Sequence, residues 1–256
     1  VFDLHANFRT RILQQLLPES LPFYRYQKQS FRRILSVWLK KDFYNNEKVP
    51  EQYLKAFDKF ELENDGKGLE FPIQKLNWIY RTDLPLTHRS GYAVISLGAT
   101  HFTKKLPMSK WEEIIKQLEV PIILIGGDLE MELGQKLALL DEFKIVNKCG
   151  QYNLQQSASV IAQSIFLITH DTGMMHIAAA LKKKTISIWG GTVPNLGFEP
   201  YGLDAKNSII IENSSLNCRP CSKYGRSSCP KGHFKCMNEI SVEEIINGTR
   251  INTALN

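Results

Sequence analysis

SIFLITHDTGMMHIAAALKKKTISIWGGT, residues 164–192, is the stretch on which the fold turns. Two apolar runs of strand length, SIFLI and TISIW, bracket an alanine-rich segment of helical period. Strand, helix and strand in that order make a crossover unit, and strands so joined run parallel. At the first seam Asp171, Thr172, Gly173 and His176 fall within six residues. Two explanations compete there. One is a capped turn, in which an Asp171 or Thr172 side-chain oxygen satisfies an orphan helix N–H. The other is a cradle for a phosphorylated ligand. In that case Gly173 lets the backbone approach, and the exposed N–H groups and the helix dipole hold an anion. Thr172 and His176, four apart, share one helix face, and the backward lean of helical side chains brings His176 to the same mouth.

The same rhythm extends outward from this unit. YAVISLG, PIILIGG, KIVNKCG, SIFLITH and TISIWGG read as strands, and SKWEEIIKQLE, DLEMELGQKLALLDEF, LQQSASVIAQ and GMMHIAAALKK as helices between or beside them. Residues 92 to about 215 therefore form one Rossmann-like parallel sheet covered on both faces. Before it, VFDLHA reads as a strand. NFRTRILQQLL, QSFRRILSVWLKK and PEQYLKAFDKFEL read as helices, followed by NDGKG and an irregular linker. One strand with three helices does not bury a parallel sheet. With no initiating Met, the expectation is that N-terminal sequence precedes Val1. The organisation so read is a partial domain and linker over 1–88, a ligand-binding domain over 89–240, and a C-terminal helix over 241–256.

Hydrophobic residues make up 43% of the 256 residues and charged ones 23%, as in a water-soluble globular chain. No apolar run reaches the ~20 residues of a membrane span, and no signal-peptide pattern opens the sequence. A cytoplasmic location, with room for peripheral contact with the inner membrane, is the expectation. The net charge of +6 points to acidic partners. Residues 1–50 hold nine Lys and Arg against four Asp and Glu. FYRYQKQSFRRIL mixes aromatics with cations, but its spacing suits an amphipathic helix, so either a solvated face or a surface for an acidic ligand or anionic membrane fits. Nucleic acid is not the expected partner.

Ligands of open parallel sheets bind beyond the strands' carboxyl ends. Three loops fall there besides the opening one. SLGATHFTKKLP carries Thr103, Lys104 and Lys105, GGDLE carries Glu130, and GGT ends in Thr192. Their convergence favours the phosphate reading of 171–176. The dinucleotide fingerprint GxGxxG is absent from these loops, which weighs against a nicotinamide enzyme.

NCRPCSKYGRSSCPKGHFKCM places Cys218, Cys221, Cys229 and Cys236 at C-x2-C-x7-C-x6-C within the loop 217–237, with His233 inside it. Thiols at knuckle spacing suit a structural zinc. Reduced, unliganded thiols are the main alternative, and two disulfides fit less well without a secretory signal. Cys149 stands alone after a strand and reads as core.

GATHFTKKLP, ILIGGDLE and THDTGMMHIAAALKKKTISIWGGT, in that order and spacing, resemble the signatures of glycosyltransferase family 9, the ADP-heptose:lipopolysaccharide heptosyltransferases. VFDLHANFRTR and VPEQYLKAF are similar to segments of its N-terminal domain. The resemblance implies a GT-B fold, two Rossmann-like domains facing a cleft, with an ADP-sugar donor on the C-terminal one. It implies that Thr103, Lys104, Glu130, Asp171, Thr172, Gly173, Met174, His176 and Thr192 surround the donor, with Lys104 on a phosphate and Glu130 near the ribose. His5, Arg9 and Arg11 match the segment facing an anionic lipopolysaccharide core acceptor, although a structural role suits them equally. Such enzymes invert the sugar centre without a divalent metal. The Asp expected to act as base would lie before Val1, leaving no residue of this chain to inherit that role. Two other functions stay open: a GT-B transferase using another nucleotide sugar, and a zinc-braced, non-catalytic module binding acidic glycans or nucleic acid.

Overall fold

The computed structural model describes residues 1–44 and 47–250. The first part has β1 (Phe2–Asp3), α1 (Phe8–Leu16), β2 (Tyr24–Arg25), α2 (Ser30–Leu39) and α3 (Val49–Leu54). β1 and β2 pair in parallel as a two-stranded sheet. The expected helix PEQYLKAFDKFEL splits into α3 and a 3₁₀ segment, Lys55–Phe60. The split has a packing cause. Phe57 stacks on Phe2 and Phe60 lies tilted against it, with ring centroids 4.3 and 5.3 Å away. That aromatic cluster holds the short sheet together.

The second part is the expected doubly covered sheet. Its elements are β3 (Ala93–Ser96), α4 (Met108–Gln117), β4 (Ile122–Ile125), α5 (Met131–Ala138), β5 (Ile145–Asn147), α6 (Leu154–Gln163), β6 (Leu167–His170), α7 (Gly173–Ala180), β7 (Thr185–Trp189), β8 (Ser208–Glu212), α8 (Lys235–Asn238) and α9 (Val242–Thr249). The six strands run in the order β5-β4-β3-β6-β7-β8, all pairs parallel. β8, an edge strand, is not among the strands read from sequence. The expected C-terminal helix is α9; residues 251–256 of that expectation lie outside the described residues.

Alternation along each strand divides the core in two. Ala93, Ile95, Ile122 and Leu124 face Trp111 and Ile114 of α4, Leu137 of α5 and Ile245 of α9. Val94, Ile123, Ile125 and Leu167 face Val160 and Ile161 of α6 and Ala178 of α7. Winding starts at β3 and runs outward through β4 to β5. It resumes at β6 on β3's other side and runs through β7 to β8. The reversal between β3 and β6 opens a crevice at their carboxyl ends, where the loops carrying Lys104 and Asp171 meet.

The two parts join through Arg33, a buried side chain of α2. Its Nε donates to the Leu196 carbonyl at 3.0 Å and its Nη2 to the Tyr44 hydroxyl. The guanidinium lies over the rings of Tyr44 (4.3 Å) and Phe198 (4.7 Å). Gly197 permits the approach: its φ is +83°, and a Cβ there would lie 2.4 Å from the Glu47 carbonyl oxygen.

Candidate active site at the strand ends

Asp171 directly follows β6, and one of its oxygens takes two donors. Lys104 Nζ lies 2.7 Å from Oδ2, and the Thr192 hydroxyl donates to the same atom at 2.8 Å. Lys104 also donates to the Asp171 carbonyl at 3.1 Å. Three loops, after β3, β6 and β7, are thus tied at one carboxylate. Lys105 makes a parallel pair with Glu130 at 2.8 Å, and Glu130 Oε2 accepts the Gly127 N–H at 3.1 Å. The sequence-based set leaves out Lys105, although it stands in the same TKK.

Thr172 sits at the N-cap position of α7, yet its side chain makes no cap bond; its hydroxyl lies 3.3 Å from that of Thr169. The capped-turn explanation is therefore not what forms. Asp171 is spent on Lys104 and Thr192, and the first N–H groups of α7 have no side-chain acceptor. The start of the helix borders a cavity of about 820 Å³ whose lining includes Gly98, Lys104, Lys105, Glu130, Asp171, Thr172, Gly173, Met174 and His176. Farther along lie Gly126, Gly127, Tyr152 and Leu154, and Phe198 and Tyr224 also contribute. Burial lowers the pKa of His176; Asp171 opposes that shift and Lys104 adds to it. His170, one residue before Asp171, is wholly enclosed. Its Nε2 accepts the Leu106 N–H at 2.9 Å, and burial pulls its pKa to about 4.

Thr103 and Thr192 do not line the cavity. Thr192 is buried behind Asp171. The Thr103 hydroxyl accepts the Arg226 N–H at 2.8 Å, and its backbone exchanges bonds with Arg226 and Gly191. Both brace the loops that carry the lining residues. A strand-end position is readable from sequence, whereas the direction of its side chain depends on partners remote in the chain. His5, Arg9 and Arg11 are exposed and none lines the cavity, all of whose lining residues fall within 96–224. The cavity's carboxylates, Glu130 and Asp171, are each paired with a lysine.

The cysteine loop packs behind the same loops. Arg219, buried, donates to the carbonyls of Gly190 (2.5 Å), Trp189 (3.1 Å) and Thr192 (2.9 Å) and pairs with Glu212 at 2.7 Å. Cys149, Cys218, Cys221, Cys229 and Cys236 are all free thiols. Cys218 Sγ lies 3.9 Å from His233 Nε2. Among the described residues no three His, Cys, Asp or Glu side chains are grouped to share a metal ion. The spacing-based zinc expectation thus finds no support in the geometry. Cys149 is core as expected, its thiol pushed up to about 12 by burial.

The family model described as glycosyltransferase family 9 (heptosyltransferase) matches residues 28–231. The chain belongs to glycosyltransferase family 9. Among curated relatives, lipooligosaccharide heptosyltransferase 2 of Campylobacter jejuni is 26% identical over 214 residues, 80% of this chain and 65% of the relative. Lipopolysaccharide heptosyltransferase 1 of Escherichia coli K12 is 33% identical over 135 residues, 51% of this chain and 40% of that one. This family 9 chain thus spans less than two thirds of the length of those relatives. Among solved structures, a family 9 protein from Veillonella parvula superposes with a TM-score of 0.68 at 18% identity, over 97% of this chain and 71% of that one. An E. coli heptosyltransferase with ADP gives 0.53 at 20% identity, over 96% and 79%. These likenesses place the molecule in the GT-B fold, with the doubly covered six-stranded sheet as a Rossmann-like unit of that fold.

Proposed function

We propose that the strand-end cavity holds the diphosphate of an ADP-heptose-type donor and that the molecule transfers the sugar, with inversion, to a lipopolysaccharide core acceptor. The observation that carries this reading is the uncapped N-terminus of α7 beside Lys104, with Asp171 fixing the lysine in place. Helix N–H groups and a lysine held on the same side suit a pyrophosphate. In the reaction they stabilise negative charge as the diphosphate departs, so the step as proposed needs no divalent metal. Gly126 and Gly127 beside Tyr152 and Leu154 offer a flat, partly apolar bed for a nucleoside, and the relative solved with ADP supports adenine as the base. Asp171 and Glu130, both committed to lysines, are not assigned the base that deprotonates the acceptor. A cytoplasmic site of action fits a nucleotide-sugar donor. No helix among the described residues is long and apolar enough to cross a membrane.

Calorimetric titration of the 256-residue chain with ADP, ADP-heptose, UDP and GDP, in chelator, tests this. The expected outcome is ADP binding that weakens at least about tenfold in Lys104→Ala, the cost of one charge-assisted hydrogen bond. Preference for UDP or GDP would reassign the donor. A folded chain that binds none of the four overturns the reading.

A further inference from the structure

Lys104 and Lys105 are neighbours in sequence and both line the strand-end cavity, but they are held differently. A lysine ammonium carries three N–H donors. Lys104 spends two on Asp171, one on Oδ2 and one on the carbonyl, and its side chain is 13% exposed. Lys105 gives one donor to Glu130 Oε1 at 2.8 Å, has no other partner among the described residues, and its side chain is 35% exposed. Glu130 is the fixed member of that pair. Its Oε2 accepts the Gly127 N–H at 3.1 Å. A Cβ on Gly126 would lie 2.8 Å from the Glu130 Cβ, and one on Gly98 would lie 3.2 Å from Oε2. The pair thus joins a clamped carboxylate to an ammonium held at one point.

The two lysines and two carboxylates of the cavity cancel in pairs, so a diphosphate entering it finds a lysine charge only if a pair opens. Opening Lys104–Asp171 would break two hydrogen bonds and leave a buried carboxylate with Thr192 alone. Turning Lys105 breaks one, and the Glu130 oxygen it uncovers can accept a hydroxyl. The pair spans the right distance along the chain of contacts, because Lys105 follows Lys104 at the start of α7 and Glu130 borders the glycine bed at Gly126 and Gly127. A nucleoside diphosphate presents phosphate oxygens to the first and ribose hydroxyls to the second.

We propose that Lys105 is a further donor-binding residue, which turns from Glu130 Oε1 to a phosphate oxygen of the nucleotide and so uncovers Glu130 for the ribose. This role rests on the cavity's holding a donor diphosphate, as proposed above. Calorimetric titration of the full chain with ADP tests it in the wild type, Lys105→Met, Glu130→Gln and the double variant. Met keeps much of the lysine's length and none of its charge. Lys105→Met is expected to weaken ADP binding at least about tenfold, the loss of one charge-assisted phosphate contact. Glu130→Gln releases the lysine and keeps an oxygen that accepts a hydroxyl, so it is expected to cost less. Adding Lys105→Met to Glu130→Gln is then expected to cost about tenfold again, because the lysine acts on the nucleotide directly. The double variant leaves no carboxylate unpaired, so its comparison with Glu130→Gln decides the matter even where Lys105→Met alone folds poorly. A Lys105→Met chain that binds ADP like the wild type overturns the proposal. Equal ADP affinity in Glu130→Gln and the double variant also overturns it, since a lysine that only props Glu130 has no effect once that carboxylate is gone. A folded wild-type chain that binds no ADP overturns the donor reading itself, a result distinct from either of these.

Discussion

Asp171 is the residue on which the site is built, because Lys104 and Thr192 both converge on its Oδ2. Thr192→Val keeps the shape and removes one donor from a buried carboxylate. The expected loss is about 1.5–3 kcal/mol in urea unfolding, the range for hydrogen bonds to charged groups. His170 sets the acid limit. Folding lowers its pKa from 6.5 to about 4, so on acidification the unfolded chain takes up the proton first. Stability contributed this way is complete above about pH 6.5, falls as pH drops toward 4, and is flat below. The wild type is expected to lose about 2 kcal/mol more than His170→Gln between about pH 7 and pH 5, read from urea midpoints at each pH. Residue types at the site were legible in sequence, since Asp, Thr, Gly and Lys at strand ends have few other reasons to assemble. Which of them face ligand was not. Thr103 turns to Arg226, which is 123 positions away, and Lys105 finds Glu130 only once β3 and β4 are paired.

At the scale of elements, crossover units were legible because a buried parallel strand is a short apolar run and its helix is amphipathic. β8 escaped for a physical reason. As an edge strand it is only half-buried along most of its length, and it follows a long irregular connection from β7. The loops at the sheet's mouth are themselves a packed layer. The Gly191 N–H donates to the Thr103 carbonyl at 2.8 Å and the Cys221 N–H to the Gly191 carbonyl at 2.7 Å. Gly190 has no room for a side chain, since a Cβ would lie 2.5 Å from the Thr103 carbonyl oxygen and 2.6 Å from Met237 Cε. Gly190→Ala is expected to cost about 1–3 kcal/mol by overpacking, measured as a lower urea midpoint. The cysteine loop was legible as a cluster but not as a brace. Its anchor is Arg219, between the first two cysteines, a residue that spacing rules pass over.

The whole molecule depends on how its first 60 residues are attached. Arg33 is buried with no carboxylate among its described partners, held by a carbonyl, a hydroxyl and two aromatic faces. Arg33→Met retains bulk and loses all four contacts. Amide exchange is expected to rise throughout α2 and α3 while β3, β4 and β6 keep their protection, since the central sheet has its own core. Phe198 has a second duty, for the ring beneath Arg33 also lines the strand-end cavity. One guanidinium therefore stands between two surfaces of the molecule, the outward face of α2 and the chamber beneath the strand ends. Thermodynamics makes any coupling between the two reciprocal. Whatever factor a molecule seated on α2 adds to affinity in the chamber, a molecule in the chamber adds to affinity on α2. Titrating each in the presence of the other measures a single number twice.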